Sequence, residues 1–250
     1  MNFTKNFWTI EKLASRIKEI NQKRYQTIVS IKEFDSAPDD EGNNGVYPSS
    51  VDFSSKKPIQ HIWQGLDQYM WLKTIVDLPV APSNHRVVGI FDFGITEGGN
   101  NAGFEGLAFL NNKVLQGIDT NHTEVVFSKE EEGKKSELAF RLWSGLPGDS
   151  GKEKMQHQLK QADICLLDER IDTFYYQSTS ILQIIELLDE NDLSKIQLTN
   201  ILNEAYLIID WDSNLPEKEK ESIYKAANFL DLELKKINKE SGIVISAFGH

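Results

Sequence analysis

The chain has 250 residues, 40% hydrophobic and 26% charged, and 38 Asp and Glu outnumber 27 Lys and Arg for a net charge of -11 at pH 7. This composition excludes a disordered or fibrous chain and supplies apolar side chains for one or two cores. The acidic excess repels a phosphate backbone, and the basic pairs Lys23-Arg24, Lys56-Lys57 and Lys134-Lys135 stand isolated, so no nucleic-acid partner is expected. No apolar stretch approaches the roughly 18 residues of a spanning helix, so no membrane segment is expected. Met1 to Lys12 lack the continuous apolar run of a signal peptide, which makes a cytoplasmic protein the expectation. The single cysteine, Cys165, cannot form an internal disulfide and sits in the apolar run Ile164 to Leu167, where it reads as a buried, inert thiol.

In chain order, Ile10, Leu13, Ile17 and Ile20 fall three or four apart and predict a helix with Thr9 as its cap. Gln26 to Phe34 reads as a strand, and Ser36 to Ser55, rich in Pro, Gly, Asp and Asn, reads as a loop. From Trp63 to Gly145 the period becomes two, as in Leu72, Thr74, Val76 and Leu78 or in Leu138, Phe140 and Leu142. Pro79 to Asn84, Asn111-Asn112-Lys113 and Glu132-Gly133-Lys134 carry turn chemistry, so consecutive strands are expected to pair as antiparallel hairpins of a β-sandwich. Ala162 to Leu167 reads as a returning strand. Three helices then follow: one striped by Ile171, Phe174, Ser178, Ile181, Ile185 and Leu188, one by Leu193, Ile196, Ile201, Leu202 and Ala205, and one by Ile223, Ala227, Leu230, Leu234 and Ile237. The last is expected to be capped by Ser213 or Asn214, to carry Pro216 in its first turn and to stop at Gly242. Ile243 to Phe248 is an unbroken apolar run, the pattern of a strand covered on both faces, so the polypeptide reads as truncated before the sheet that this strand enters.

Asp119, Asn121, His122 and Glu124 crowd one inter-strand segment with metal-ligand residue types, but the spacing is not diagnostic and His61, His85, His157 and His250 make no second cluster. A hydrogen-bonded turn or a contact surface is the competing reading. Asp92, Glu105 and Asp119 are a weak suggestion of paired carboxylates. Gly94, Gly98, Gly99, Gly103 and Gly106 match neither phosphate-binding fingerprint and read as sharp strand turns. Trp63, Trp71 and Trp143 are able to stack on a sugar ring, with core packing as the more frequent fate of tryptophan.

The segments Trp63-Gln64-Gly65-Leu66-Asp67-Gln68, Phe91-Asp92-Phe93-Gly94, Gly98-Gly99-Asn100-Asn101, Gly103-Phe104-Glu105, Gln116-Gly117-Ile118-Asp119 and Asn121-His122-Thr123-Glu124, taken as a series, resemble the region preceding the catalytic domain in α-mannosidases of glycoside hydrolase family 38, cytosolic and vacuolar branch. The resemblance runs from about Trp63 to His250. It implies an α+β chain: an N-terminal helix over residues 1–25, a jelly-roll-like antiparallel β-sandwich over 26–170, a helical linker over 171–241, and the first strand of a truncated α/β barrel over 242–250. By the same resemblance the parent enzyme is a zinc-dependent retaining glycosidase acting on terminal α-D-mannosides. This chain would then carry no catalytic residue and no cofactor, and His250 would lie just ahead of the zinc ligands. Its role would be structural support, docking to the barrel of the same polypeptide and homo-oligomerisation. Asp119, Asn121, His122 and Glu124 become candidates for an interface or for proximity to the parent's active site. The alternative is a free-standing carbohydrate-binding β-sandwich, which requires exposed aromatic side chains.

Overall fold

The computed structural model describes residues 8–39, 47, 51–94, 103–146, 155–211 and 215–241. The chain divides into two units, one from residues 1–25 and 168–250 and one from residues 26–167. The first helix, set apart in the sequence reading, therefore belongs with the C-terminal helices.

The first unit is helical: α1 (Ile10–Lys23), α2 (Glu169–Leu187), α3 (Leu193–Ile208) and α4 (Pro216–Ser241). Each amphipathic stripe turns inward. Leu13, Ile17 and Ile20 of α1, Phe174 and Ile181 of α2, Leu202 and Tyr206 of α3 and Leu230 of α4 share one core. Thr9 caps α1 as its sequence predicts, its Oγ1 accepting from the Lys12 N–H at 3.3 Å. Asp168 caps α2 and Asp192 caps α3 in the same way. Ser213, Asn214 and the expected strand Ile243 to Phe248 lie outside the described residues.

The second unit is an antiparallel β-sandwich. Its strands are β1 (Tyr25–Ser30), β2 (Glu33–Pro38), β3 (Ser55–Pro58), β4 (Ile62–Gly65), β5 (Tyr69–Asp77), β6 (His85–Asp92), β7 (Glu105–Leu110), β8 (Lys113–Asp119), β9 (Glu124–Val126), β10 (Lys135–Trp143), β11 (Met155–Gln158) and β12 (Gln161–Asp168). One sheet runs β1-β12-β6-β9, a larger one β3-β2-β5-β10-β7-β8, and β11 pairs with β4 alone. Phe34, Leu72 and Phe140 of the larger sheet meet Val87, Phe91 and Ile164 of the smaller in one core. The phenylalanines are its centre: Phe140 lies 4.6 Å from Phe91 and 5.0 Å from Phe93, ring centre to ring centre.

Several expectations change. Gln26 to Phe34 is two strands, because the chain changes sheet there: β1 pairs with β12 in the smaller sheet, with the Ile31 N–H donating to the Ala162 carbonyl at 2.9 Å, and β2 pairs with β3 and β5 in the larger. Of the three turn segments only Asn111-Asn112 closes a hairpin, joining β7 to β8 with both residues at positive φ, 50° and 68°. Pro79 to Asn84 instead carries the chain from the larger sheet to the smaller, and β10 pairs with β5 and β7, neither of which precedes it directly. The glycines permit close approach more than turning: a Cβ on Gly145, at φ 83°, would stand 2.2 Å from the Gly103 carbonyl oxygen. Gly98 and Gly99 lie outside the described residues. Among the described residues no sheet closes into a barrel, so the barrel strand finds no counterpart there. Among the described residues no helix is long and apolar enough to cross a membrane.

Candidate functional site

Period two puts alternate residues of the larger sheet on its outer face. On that face Trp71, Phe109 and Ala139 are buried under Tyr47 and Phe53, so half of it is a small second core. The other half is open. In register, Tyr69 lies opposite Trp143, Trp143 opposite Glu105, and Glu105 opposite Asp119. Residues directly opposite one another share a face, so four strands bring these side chains into one row.

The rings of Tyr69 and Trp143 are nearly parallel, 6.3 Å apart at 23°, and both are only half-buried. Arg141, two residues before Trp143, places its guanidinium 4.2 Å from the centre of the Tyr69 ring while its Nε donates to Asp39 Oδ2 at 2.6 Å. The Trp143 indole N–H is held by Asp67 at 2.7 Å. The two aromatic rings are thus fixed by a cation on one and a hydrogen bond on the other. Around them lie two adjoining cavities. The smaller, about 230 Å³, is lined by Tyr69, Glu105, Arg141 and Trp143, and the larger, about 350 Å³, shares Tyr69 as a wall. Among the described residues the Glu105 side chain is exposed and makes no hydrogen bond or ion pair.

Of the three tryptophans that sequence offers as stacking platforms, Trp143 alone meets this groove as an accessible ring. Trp71 is fully buried, and Trp63, 7% exposed, spends its indole N–H on the Phe93 carbonyl at 2.8 Å. Tyr69 was not singled out by sequence. The signal was present, since an aromatic residue on the polar phase of a period-two strand has no place in the main core.

The segment Asp119 to Glu124 is a turn bonded to itself. Asp119 Oδ1 accepts from the N–H groups of Asn121 at 2.7 Å and His122 at 2.8 Å, and the His122 Nδ1 lies 3.0 Å from both carboxylate oxygens. Burial pushes the Asp119 carboxyl up, but the His122 side chain and the two backbone N–H groups outweigh it and hold it below the usual carboxylate range. Asn121 and His122 are exposed, and Glu124 opens β9 opposite Ile90, its carbonyl accepting from Gln116 Nε2 at 2.8 Å. Asp119 and Glu105 do stand side by side, but Asp119 is committed to its turn and Asp92 lies in the other sheet, 3.3 Å from Lys160 Nζ. No free carboxylate pair results. Among the described residues no group of three His, Cys, Asp or Glu is placed to hold a metal ion. Cys165 is buried beside Thr27, and burial raises its thiol.

No family model and no curated protein matches the chain. Among solved structures it is similar to an FMN-binding beta-glucuronidase from Faecalibacterium prausnitzii, at 12% identity and TM-score 0.39 over 57% of this chain and 22% of that one. A second Faecalibacterium prausnitzii beta-glucuronidase gives 8% identity and TM-score 0.38 over 59% and 32%. The CBM51-2 and INT domains of Clostridium perfringens ZmpB give 13% identity and TM-score 0.18 over 73% and 37%. The chain thus spans about a third or less of the two glucuronidases, and TM-scores this low carry no argument about a site. The expectation of a zinc-dependent α-mannosidase is corrected: no family model of any kind matches the chain, and the described residues offer no metal cluster.

Proposed function

We propose that the β unit is a carbohydrate-binding module that seats a sugar in the groove beside Tyr69 and Trp143. The observation that carries this reading is the pair of near-parallel, half-buried rings set in an open sheet face and walled by two cavities. A pyranose presents an apolar C–H face and a rim of hydroxyls. The rings offer area to the first, and Glu105, Gln64 and Gln68 offer hydrogen bonds to the second. In this reading the sandwich is jelly-roll-like, with its ligand on the outer face of the larger sheet, and its role is binding.

Affinity electrophoresis and calorimetry against a panel of neutral and acidic glycans test the reading. Retardation by at least one glycan that disappears in Trp143→Ala, with the unfolding midpoint little changed, supports it. Unchanged binding in Trp143→Ala, or no retardation by any member of the panel, overturns it.

A further inference from the structure

The larger cavity has a charge character opposite to that of the protein around it. The chain carries a net charge of -11, yet among the described residues no Asp or Glu lines this cavity of about 350 Å³. Its ionisable side chains of basic type are Lys57 and His61. They are brought together by the end of β3 and the turn that follows, where the His61 N–H donates to the Pro58 carbonyl at 3.0 Å and Gln60 takes a positive φ of 76°. Neither side chain has a hydrogen bond or ion pair among the described residues, although the neighbouring Lys56 is paired with both Glu33 and Asp35. The other polar groups of the lining include the Ser55 hydroxyl and the amides of Gln64 and Gln68, all able to donate, while the Ser36 hydroxyl donates to the Ser55 carbonyl at 3.3 Å.

We infer that this cavity is an anion subsite, taking a carboxylate or sulfate ester carried by the sugar whose ring lies beside Tyr69. The Lys57 ammonium has no counter-ion there, and an oxyanion beside it supplies one while accepting from ammonium, imidazole and amide donors. At His61 burial, and then the Lys57 ammonium, hold the imidazole below its ordinary value, so the positive charge of the cavity is that of Lys57. Tyr69 lines both cavities, so a ligand bridging them presents its anionic substituent to one and its ring to the other. The assignment rests on the carbohydrate reading and deepens it from sugars in general to uronic or sulfated sugars.

Nitrogen-15 correlation spectra of the full chain, titrated with methyl glucuronide, a 6-sulfated methyl glucoside, neutral methyl glucoside and inorganic sulfate, separate the two claims. The expected result is that at least one acidic glycoside binds roughly tenfold or more tightly than the neutral one and shifts the amides of Ser55, Lys57 and Gln64 together with the Trp143 indole. Lys57→Met should remove that preference while leaving neutral-sugar affinity unchanged. Equal affinity for neutral and acidic sugars, with shifts confined to Glu105, Gly106 and Trp143, overturns the anion subsite and leaves the carbohydrate reading standing. Shifts of the cavity amides by sulfate with no response to any glycoside overturn the carbohydrate reading, and with it the sugar as the carrier of the anion. No shift with any of the four overturns both.

Discussion

The two units treat their polar side chains in opposite ways. In the helical unit they are spent on the fold: Asp168, 3% exposed, accepts from the Arg170 and Ile171 N–H groups at the head of α2, from the Tyr224 hydroxyl at 2.5 Å and from Lys220 Nζ at 2.8 Å. Arg24 meets Asp172 at 2.5 Å, and the buried Lys195 meets both Glu190 and the Leu188 carbonyl. In the sandwich Glu105, on the outer face of the larger sheet, and Lys57 and His61, at the end of β3 and in the turn that follows, stand uncommitted beside two cavities. Side chains that are already engaged hold a fold together. Uncommitted ones beside a cavity remain available to a ligand, which is why the functional reading rests on the sandwich.

Charge-neutralising replacements of similar shape test that contrast most directly. Asp168→Asn keeps the cap of α2 but loses the charge that faces Lys220, and should lower unfolding free energy by about 2 kcal/mol. Glu105→Gln should stay within about 0.5 kcal/mol of the parent. Urea titrations followed by circular dichroism measure both. Equal losses would mean that Glu105 is structural and that the two units do not differ in this respect.

Acid sharpens the same contrast. Burial alone would raise the Asp168 carboxyl, but Lys220, the Tyr224 hydroxyl and the Ile171 N–H outweigh it and hold it below the usual carboxylate range. With fewer protons bound folded than unfolded, its stabilisation is complete above the unfolded value of about 4 and is lost as pH falls through the depressed folded value. The gap in Tm between the parent and Asp168→Asn should therefore be widest near neutral pH and close as pH falls below about 4. A gap that stays constant down to about pH 2 would show that the carboxylate charge is not what stabilises the unit.

How much of this was legible in the sequence follows from the range of the interactions involved. The helices were, because their stripes and caps are local: Thr9 and Lys12 are three residues apart. The Asn111-Asn112 hairpin was legible for the same reason. The order of the larger sheet was not, since β10 finds β5 across the whole of β6 to β9, and nothing local in Lys135 to Trp143 names that partner. The groove inherits the difficulty. Tyr69, Trp143 and Glu105 become neighbours only through two non-consecutive pairings, and Lys57 and His61 look like ordinary surface residues until the cavity beside them is seen. The candidates that sequence did single out, Asp119 and His122, are close in the chain and turned out to bond mainly to one another.

His122→Ala is the smallest of these effects and bears on whether that turn belongs with the committed or the uncommitted groups. Its imidazole is 62% exposed and interacts with Asp119, while the backbone N–H groups of Asn121 and His122 hold the same carboxylate without it. The turn should survive the loss, so the unfolding free energy should fall by no more than about 0.5–1 kcal/mol, as for an exposed pair. Asp119→Ala removes the acceptor of both backbone N–H groups and should cost more, about 1–2 kcal/mol. Sugar affinity should be unchanged in His122→Ala, because the ring is engaged within its own turn and lines neither cavity. A drop in affinity without a drop in stability would move His122 into the groove's working surface and extend the ligand from Tyr69 and Trp143 across Glu105 to the far edge of the sheet.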